Sequence, residues 1–303
     1  MDELSCKYVG SYALMKSCSK RNPVATSDTN ILNPAWYSNL KDGDILHVCP
    51  QAIPKFVSEV LPTIKTKFIL VSNASIMTIP TDVKESFVIL LNPFLLRWFS
   101  QNCTSDHPKL TRIPLGLDYH SLRPEPKTFL WSTPNNSHKW GEKKIPIDQE
   151  FDLIKIQKLA PSSRICKGYG NFQFLMTTRF GKSDRIQAYE TIPKEIMFYE
   201  PKQTTRINCW KNMVNYTFVV SPQGNGLDCH RTWEALCLGC YPIIKTSGLD
   251  PLFDDLPVWI IKEWSDVTAE SMNKKMIEFQ SKSFKLEKLT LKYWQDIIEN
   301  AKQ

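Results

Sequence analysis

Residues 216–245 read Tyr-Thr-Phe-Val-Val-Ser-Pro-Gln-Gly-Asn-Gly-Leu-Asp-Cys-His-Arg-Thr-Trp-Glu-Ala-Leu-Cys-Leu-Gly-Cys-Tyr-Pro-Ile-Ile-Lys. The stretch opens on an apolar run, Tyr216 to Ser221, and passes through a loop holding Gly224 and Gly226. It continues as an amphipathic segment and closes on a second apolar run, Cys240 to Lys245. Two apolar strands joined by a helical connection make the unit of a parallel sheet, because a parallel pair needs a crossover and is covered on both faces. The same order suits an anion: glycines allow close backbone approach, and unpaired amides at the start of the following helix attract negative charge.

Arg231 and Glu234 stand three residues apart, on one face of the predicted helix. Alone they read as an ordinary ion pair. After a strand and a Gly-Asn-Gly loop, the same two residues place a cation near phosphate and a carboxylate near ribose hydroxyls. Ser221, Gly224, Asn225 and Gly226 form the loop, and Asp228 and His230 serve either as helix caps or as ligand contacts.

Outward from this segment the alternation repeats. Strands are expected at Ile45 to Cys49, Lys67 to Ser72 and Ser86 to Leu91, with an amphipathic stretch from Ile53 to Ile64. The apolar run Phe87 to Phe99 is too short to span a bilayer and contains Pro93 and Arg97, so it reads as a buried strand running into a short helix. Between 122 and 167 prolines and polar clusters replace apolar periodicity, which predicts an interdomain segment. A second alternating unit begins at Asn171 to Thr177, followed by a helix over Ser183 to Ile192 and a strand at Val258 to Ile261. Two terminal helices are expected within Ala269 to Lys302. The expected fold class is α/β, two Rossmann-like domains facing a central cleft. Residues 1–165 form one, with the interdomain segment from about 122, and 166–303 the other. Ligands of such sheets bind outside the carboxyl ends of the strands.

Composition bounds the function. An apolar fraction of 42% with 23% charged residues describes a globular chain able to fill two cores. The charge of +7 is spread along the sequence, so no nucleic-acid stripe is expected. Nine scattered cysteines read as reduced and buried, Cys237-Leu-Gly-Cys240 included, which together with the absence of a signal-like N-terminus suggests a cytoplasmic protein with no membrane anchor. His47, His107 and His138 lack metal-ligand spacing, and Asp42-Gly43-Asp44 precedes a strand and reads as a turn, so no metal is expected.

Asp118 and His120 follow the apolar strand Thr111 to Leu115 and Gly116, where a strand end opens toward the cleft. Either is a candidate general base, and each equally suits a turn or an interdomain hydrogen bond. The polar loop Ser72 to Ser75 stands at another strand end, and Tyr119, Trp131 and Trp140 read as packing or rim residues.

The run Ser221 to Leu236, followed by Leu238-Gly-Cys-Tyr-Pro-Ile243, resembles the donor-binding segment of exostosin-like glycosyltransferases, including soluble members encoded by large DNA viruses of algae. The likeness extends more loosely to Asn171-Phe-Gln-Phe174 with Arg185, to Ile113 to His120, and to Gly248 to Phe253. It implies a GT-B architecture in which the C-terminal domain holds a UDP-sugar and the N-terminal domain a glycan acceptor. Glu234 then takes the ribose, while Arg231, Arg185 and the Gly224 to Gly226 amides take the diphosphate, without a required cofactor. The expected reaction is transfer of a monosaccharide, xylose first, to a glycan hydroxyl with inversion. The alternatives are a phosphorylase or hydrolase on the same frame, or a catalytically silent nucleotide- or glycan-binding protein of the same fold. Exostosins proper are membrane-anchored, and neither an anchor nor a disulfide pattern is evident here.

Overall fold

The computed structural model describes residues 3–22, 32–122, 140–179 and 183–302. Its architecture is α/β with two parallel sheets. The first contains β1 (Asp44–His47), β2 (Phe68–Ser72), β3 (Leu95–Ser100) and β4 (Leu110–Arg112), in that order across the sheet. The second contains β5 (Ile165–Gly170), β6 (Met197–Tyr199), β7 (Tyr216–Val220), β8 (Tyr241–Lys245) and β9 (Trp259–Ile261), in the order β6-β5-β7-β8-β9.

Side-chain alternation builds three layers of core. Leu46, Phe68, Leu70 and Trp98 face the irregular helical stretch 53–63 on the outer side of the first sheet. Phe218, Val220 and Ile243 face Trp264, Met272 and Phe279 on the outer side of the second. The intervening residues of both sheets, Ile45, Ile69, Val71 and Phe99 with Tyr169, Val219 and Ile244, belong to one continuous cluster. Helices α1 (Ser11–Lys16), α3 (Pro146–Lys158), α5 (Arg206–Met213), α6 (His230–Cys237) and α8 (Leu291–Asn300) contribute to that cluster. The remaining labelled helices are α2 (Ser86–Leu90), α4 (Asp184–Thr191) and α7 (Ala269–Gln280). A central truncation such as Leu46→Ala leaves a cavity worth about 3 kcal/mol. Among the described residues no helix is long and apolar enough to cross a membrane.

The carboxyl ends of the two sheets meet. Asn102, just past β3, accepts from the Asp228 amide, Arg112 at the end of β4 donates to the Gly248 carbonyl past β8, and the Leu115 amide donates to the Asp228 carboxylate. Gly248 is glycine for a steric reason, since a Cβ there would stand 2.8 Å from Thr104 Cα.

Four expectations are corrected. Residues 86–91 are helical, with Phe87, Val88 and Leu91 exposed. The strand comes after Pro93, at Leu95–Ser100, which reverses the expected order. The segment 122–167 contains the helix α3, held by buried Leu153 and Ile156, while residues 123–139, including Trp131 and His138, lie outside the described ones. The strand expected at Asn171 to Thr177 is the earlier β5. Its glycines lower its strand signal, and they are there because a Cβ on Gly168 or Gly170 would come within 2.4 Å of Met197 Sδ or 2.8 Å of the Tyr199 ring. β6 and α5 had no counterpart in the sequence reading. Asp42-Gly43-Asp44 forms a turn, with Asp42 accepting from the Lys67 amide and Gly43 at φ +80°.

Candidate functional site

The strand order of the second sheet reverses between β5 and β7, and at such a switch point the connections leave toward opposite faces and open a crevice at the carboxyl ends. Asn171 follows β5, and the loop leading into α6 follows β7. Arg231, in the first turn of α6, donates from Nε to Asn171 Oδ1 at 3.0 Å and lies over the Phe172 ring, 5.4 Å from its centroid. Its Nη1 is sealed from solvent without a hydrogen-bond partner. Arg185, one residue inside α4, reaches the same place: Nε donates to the Gln223 carbonyl and Nη1 to Met176 Sδ. Among the described residues neither guanidinium forms an ion pair. Burial and the charge of Arg185 both act to lower the Arg231 pKa. Glu234 acts on Arg231 from within the same helix, and the two neighbouring guanidiniums present N–H donors whose desolvation is repaid best by an acceptor of opposite charge.

Glu234 lies one turn further along α6, with its side chain 12% exposed and, among the described residues, a single ion-pair contact at 4.0 Å, to Arg206 Nε. Arg206, at the start of α5, binds more tightly elsewhere. Its Nη2 donates to Asp118 Oδ2 at 2.8 Å and its Nη1 to Gln149 Oε1 at 2.9 Å. Asp118 Oδ1 accepts from the amides of His120 and Ser121 and stands 3.1 Å from His120 Nδ1. Burial would raise the Asp118 carboxyl, yet its neighbours His120, Arg206 and His230 and the Ser121 hydrogen bond all act to lower it and leave it well below the usual carboxylate range. Burial lowers His120 to about 4 against the opposing pull of Asp118, so the ring is neutral at pH 7. His120 Nδ1 faces Asp118, and in the tautomer that donates to this carboxylate the lone pair is on Nε2. The His230 ring lies 5.4 Å from that of His120, and its Nδ1 donates to the Gly116 carbonyl at 2.7 Å.

Ligand atoms of Asp118, His120 and His230 fall within 4.8 Å of one another. The Asp118 lone pairs are already engaged by two amides, an imidazole and a guanidinium, and a divalent ion there would face the Arg206 charge. The trio therefore suits proton handling better than metal binding.

Most of the remaining residues singled out in the sequence have structural partners, and Asp228 and Asn225 do so at the seam between the two sheets. Ser221, 3% exposed, shares a 2.8 Å hydrogen bond with Thr232. Asp228 accepts from the amides of Leu115 and Cys229 and from Trp233 Nε1, and burial raises its carboxyl to about 6. Asn225 receives Arg179, which also bonds the Ile76 carbonyl and Asp82 across the seam. Gly224 and Gly226 have no positive φ, and the Gly224 amide donates to the Gly226 carbonyl. Their glycine character serves close approach: a Cβ would stand 2.8 Å from Arg185 Nη2 at Gly224 and 3.2 Å from Asn102 Nδ2 at Gly226. Tyr119 is buried with its hydroxyl on Glu150, and Trp140 is exposed. Arg206 and Gln149 were missed by the sequence reading. The only local mark of Arg206 is the preceding helix cap Thr205, which carries no functional signal.

No protein-family model and no curated protein matches the chain. Among solved structures it is similar to the catalytic domain of starch synthase IV from Arabidopsis thaliana bound to ADP and acarbose, with 10% identity and a TM-score of 0.33 over 87% of this chain and 69% of that one. At that score the likeness carries no inference about the site.

Proposed function

We propose that the chain is a glycosyltransferase of the GT-B type that transfers a monosaccharide from a UDP-sugar, xylose first, to a glycan hydroxyl with inversion. The observation that carries this reading is the pair of guanidiniums, Arg185 and Arg231, that form no ion pair among the described residues and stand at the switch point of the second sheet, with Arg231 Nη1 buried and without a hydrogen-bond partner. The nearby carboxylate Glu234 and the neutral, Asp118-held His120 complete it. The resemblance of residues 221–243 to the exostosin-like donor segment supports the same donor class.

In this mechanism the diphosphate is bound by Arg185 and Arg231, and the ribose hydroxyls donate to Glu234. The acceptor hydroxyl gives its proton to His120 Nε2 as its oxygen bonds the sugar carbon. The bond from that carbon to the phosphate oxygen breaks, and the electron pair leaves on UDP, where the two guanidiniums stabilise the developing charge. Asp118 stabilises the imidazolium that forms and stays ionised itself.

The test is thermal stability of purified protein titrated with UDP, UDP-xylose, UDP-glucose, UDP-glucuronate and GDP-fucose, since a ligand of the native state raises the melting temperature. A shift with one UDP-sugar that vanishes in Glu234→Ala supports donor class and site together. If no nucleotide shifts the protein, or the variant responds like the parent, the donor site is refuted. Binding without turnover on any glycan acceptor would favour the silent binding protein.

A further inference from the structure

The predicted donor residues and the predicted base lie on different sheets, and one side chain touches both. Arg206 fixes the Asp118 carboxylate through Nη2 at 2.8 Å, is itself braced by Gln149 Oε1 at 2.9 Å, and presents Nε to Glu234 at 4.0 Å. Gln149 is in turn locked by donating to the carbonyls of Tyr119 and Lys144. The Arg206 guanidinium also lies over Trp210, 5.8 Å from the ring centroid. A planar fork held on this many sides has little freedom, and its side chain is only 10% exposed.

We propose that Arg206 is a positioning residue that joins the two sides of the site: it orients Asp118, and through Asp118 the His120 ring, while holding Glu234 in line on α6. This inference rests on the transferase reading for its kinetic consequences, but its structural core does not. The groups facing His120 are Asp118 beside it, His230 from α6, Arg206 from α5, the Tyr12 ring edge from α1 and Glu3 from the N-terminal segment, where Glu3 is paired with Lys16. Of these, Arg206 is the permanent cation near His120 that also bonds its carboxylate partner. Removing it takes away a charge that disfavours imidazolium, so His120 becomes easier to protonate.

The decisive experiment follows the imidazole NMR signal of His120 against pH in the parent, Arg206→Gln and Arg206→Lys. The His120 midpoint is expected to rise by about one pH unit in Arg206→Gln and to stay near the parent value in Arg206→Lys, which keeps the charge. An unchanged midpoint in folded Arg206→Gln overturns the inference. Should Arg206→Gln fail to fold, Arg206→Lys decides by kinetics. Losing the bidentate fork is expected to cut kcat about 100-fold with the KM for the UDP-sugar within about threefold. A raised KM with unchanged kcat would make Arg206 a donor ligand only and overturn its positioning role. If no nucleotide binds the parent, the transferase reading falls while the His120 titration still decides the role of Arg206.

Discussion

The carboxyl edges of the two sheets are built from similar polar residues and end in opposite states. On the first sheet the polar side chains find partners: His47 Nε2 bonds Asn73 Oδ1, the Asn73 amide donates to the Ser11 carbonyl, Trp98 Nε1 donates to Ser72, and Gln101 receives the Ala74 backbone amide. On the second, Asn171, Arg185 and Arg231 converge with hydrogen-bonding capacity left over. The difference follows from strand order. The first sheet runs β1 to β4 without reversal, whereas the second reverses between β5 and β7, and a reversal of strand order is where the connections part to opposite faces. A satisfied polar edge contributes rigidity, and an incompletely paired cationic one is where the proposed anion site is placed.

If that contrast holds, substitutions at the satisfied edge and the seam change stability without changing ligand affinity, and those at the second edge do the reverse. The largest effect is expected from Asp228→Ala, which strands the amides of Leu115 and Cys229 and the Trp233 indole. Urea unfolding should show a loss of about 4 kcal/mol. A loss below about 1 kcal/mol would mean that the seam is not held there.

Acid pH gives the next. Burial lowers His47 to about 4, as it does His120, so the unfolded chain takes up these protons first as pH falls below about 6.5. Stability from each is present above that pH and is lost on the way down to about 4, by on the order of 3 kcal/mol for each ring. Asp228 acts in the opposite sense over roughly pH 4 to 6, because its folded carboxyl is raised to about 6 and binds a proton before the unfolded one does. Two rings outweigh one carboxyl, so the melting temperature should drop between pH 6.5 and 4, and His47→Gln should flatten part of that drop. An equally steep fall in His47→Gln would contradict the assignment.

At the second edge, Arg231→Met should weaken nucleoside diphosphate binding about 100-fold, near 2.7 kcal/mol. The unliganded protein should be as stable as the parent or more so, because a buried, incompletely paired charge is gone. Calorimetric titration with UDP and a melt without it read the two quantities separately. The smallest effect belongs to Gly224→Ala, whose methyl would press on Arg185 Nη2. A roughly tenfold loss of UDP affinity with little change in melting temperature is expected, since the clash is with the far end of a flexible side chain.

Much of the fold was legible. The runs at 67–72, 216–221 and 240–245 lie within a residue or so of β2, β7 and β8, and Ser183 caps α4 where the sequence placed a helix start. Elements whose local signal contradicts their role were misread: β5 is diluted by Gly168 and Gly170, and α2 is an apolar run whose Phe87 and Leu91 face outward. Of the candidate site, Arg231 and Glu234 were legible because they share one loop-helix unit, whereas Arg185, on α4, was named only through the family resemblance. Ser221, Asn225 and Asp228 looked the same in sequence yet are occupied by Thr232, Arg179 and the Leu115 and Trp233 donors.

By itself the sequence determined the α/β class, most strand positions and the strand-loop-helix order of residues 216–245, since these depend on periodicity, glycines and helix starts within a few residues. Only the tertiary structure decided which polar groups are satisfied. Asp118 and Arg206 stand 88 positions apart and meet at 2.8 Å, and the Asp228 carboxylate meets the Leu115 amide across 113. Charges and donors separated by that much chain are brought together by the packing of two sheets, and no short-range pattern records the pairing.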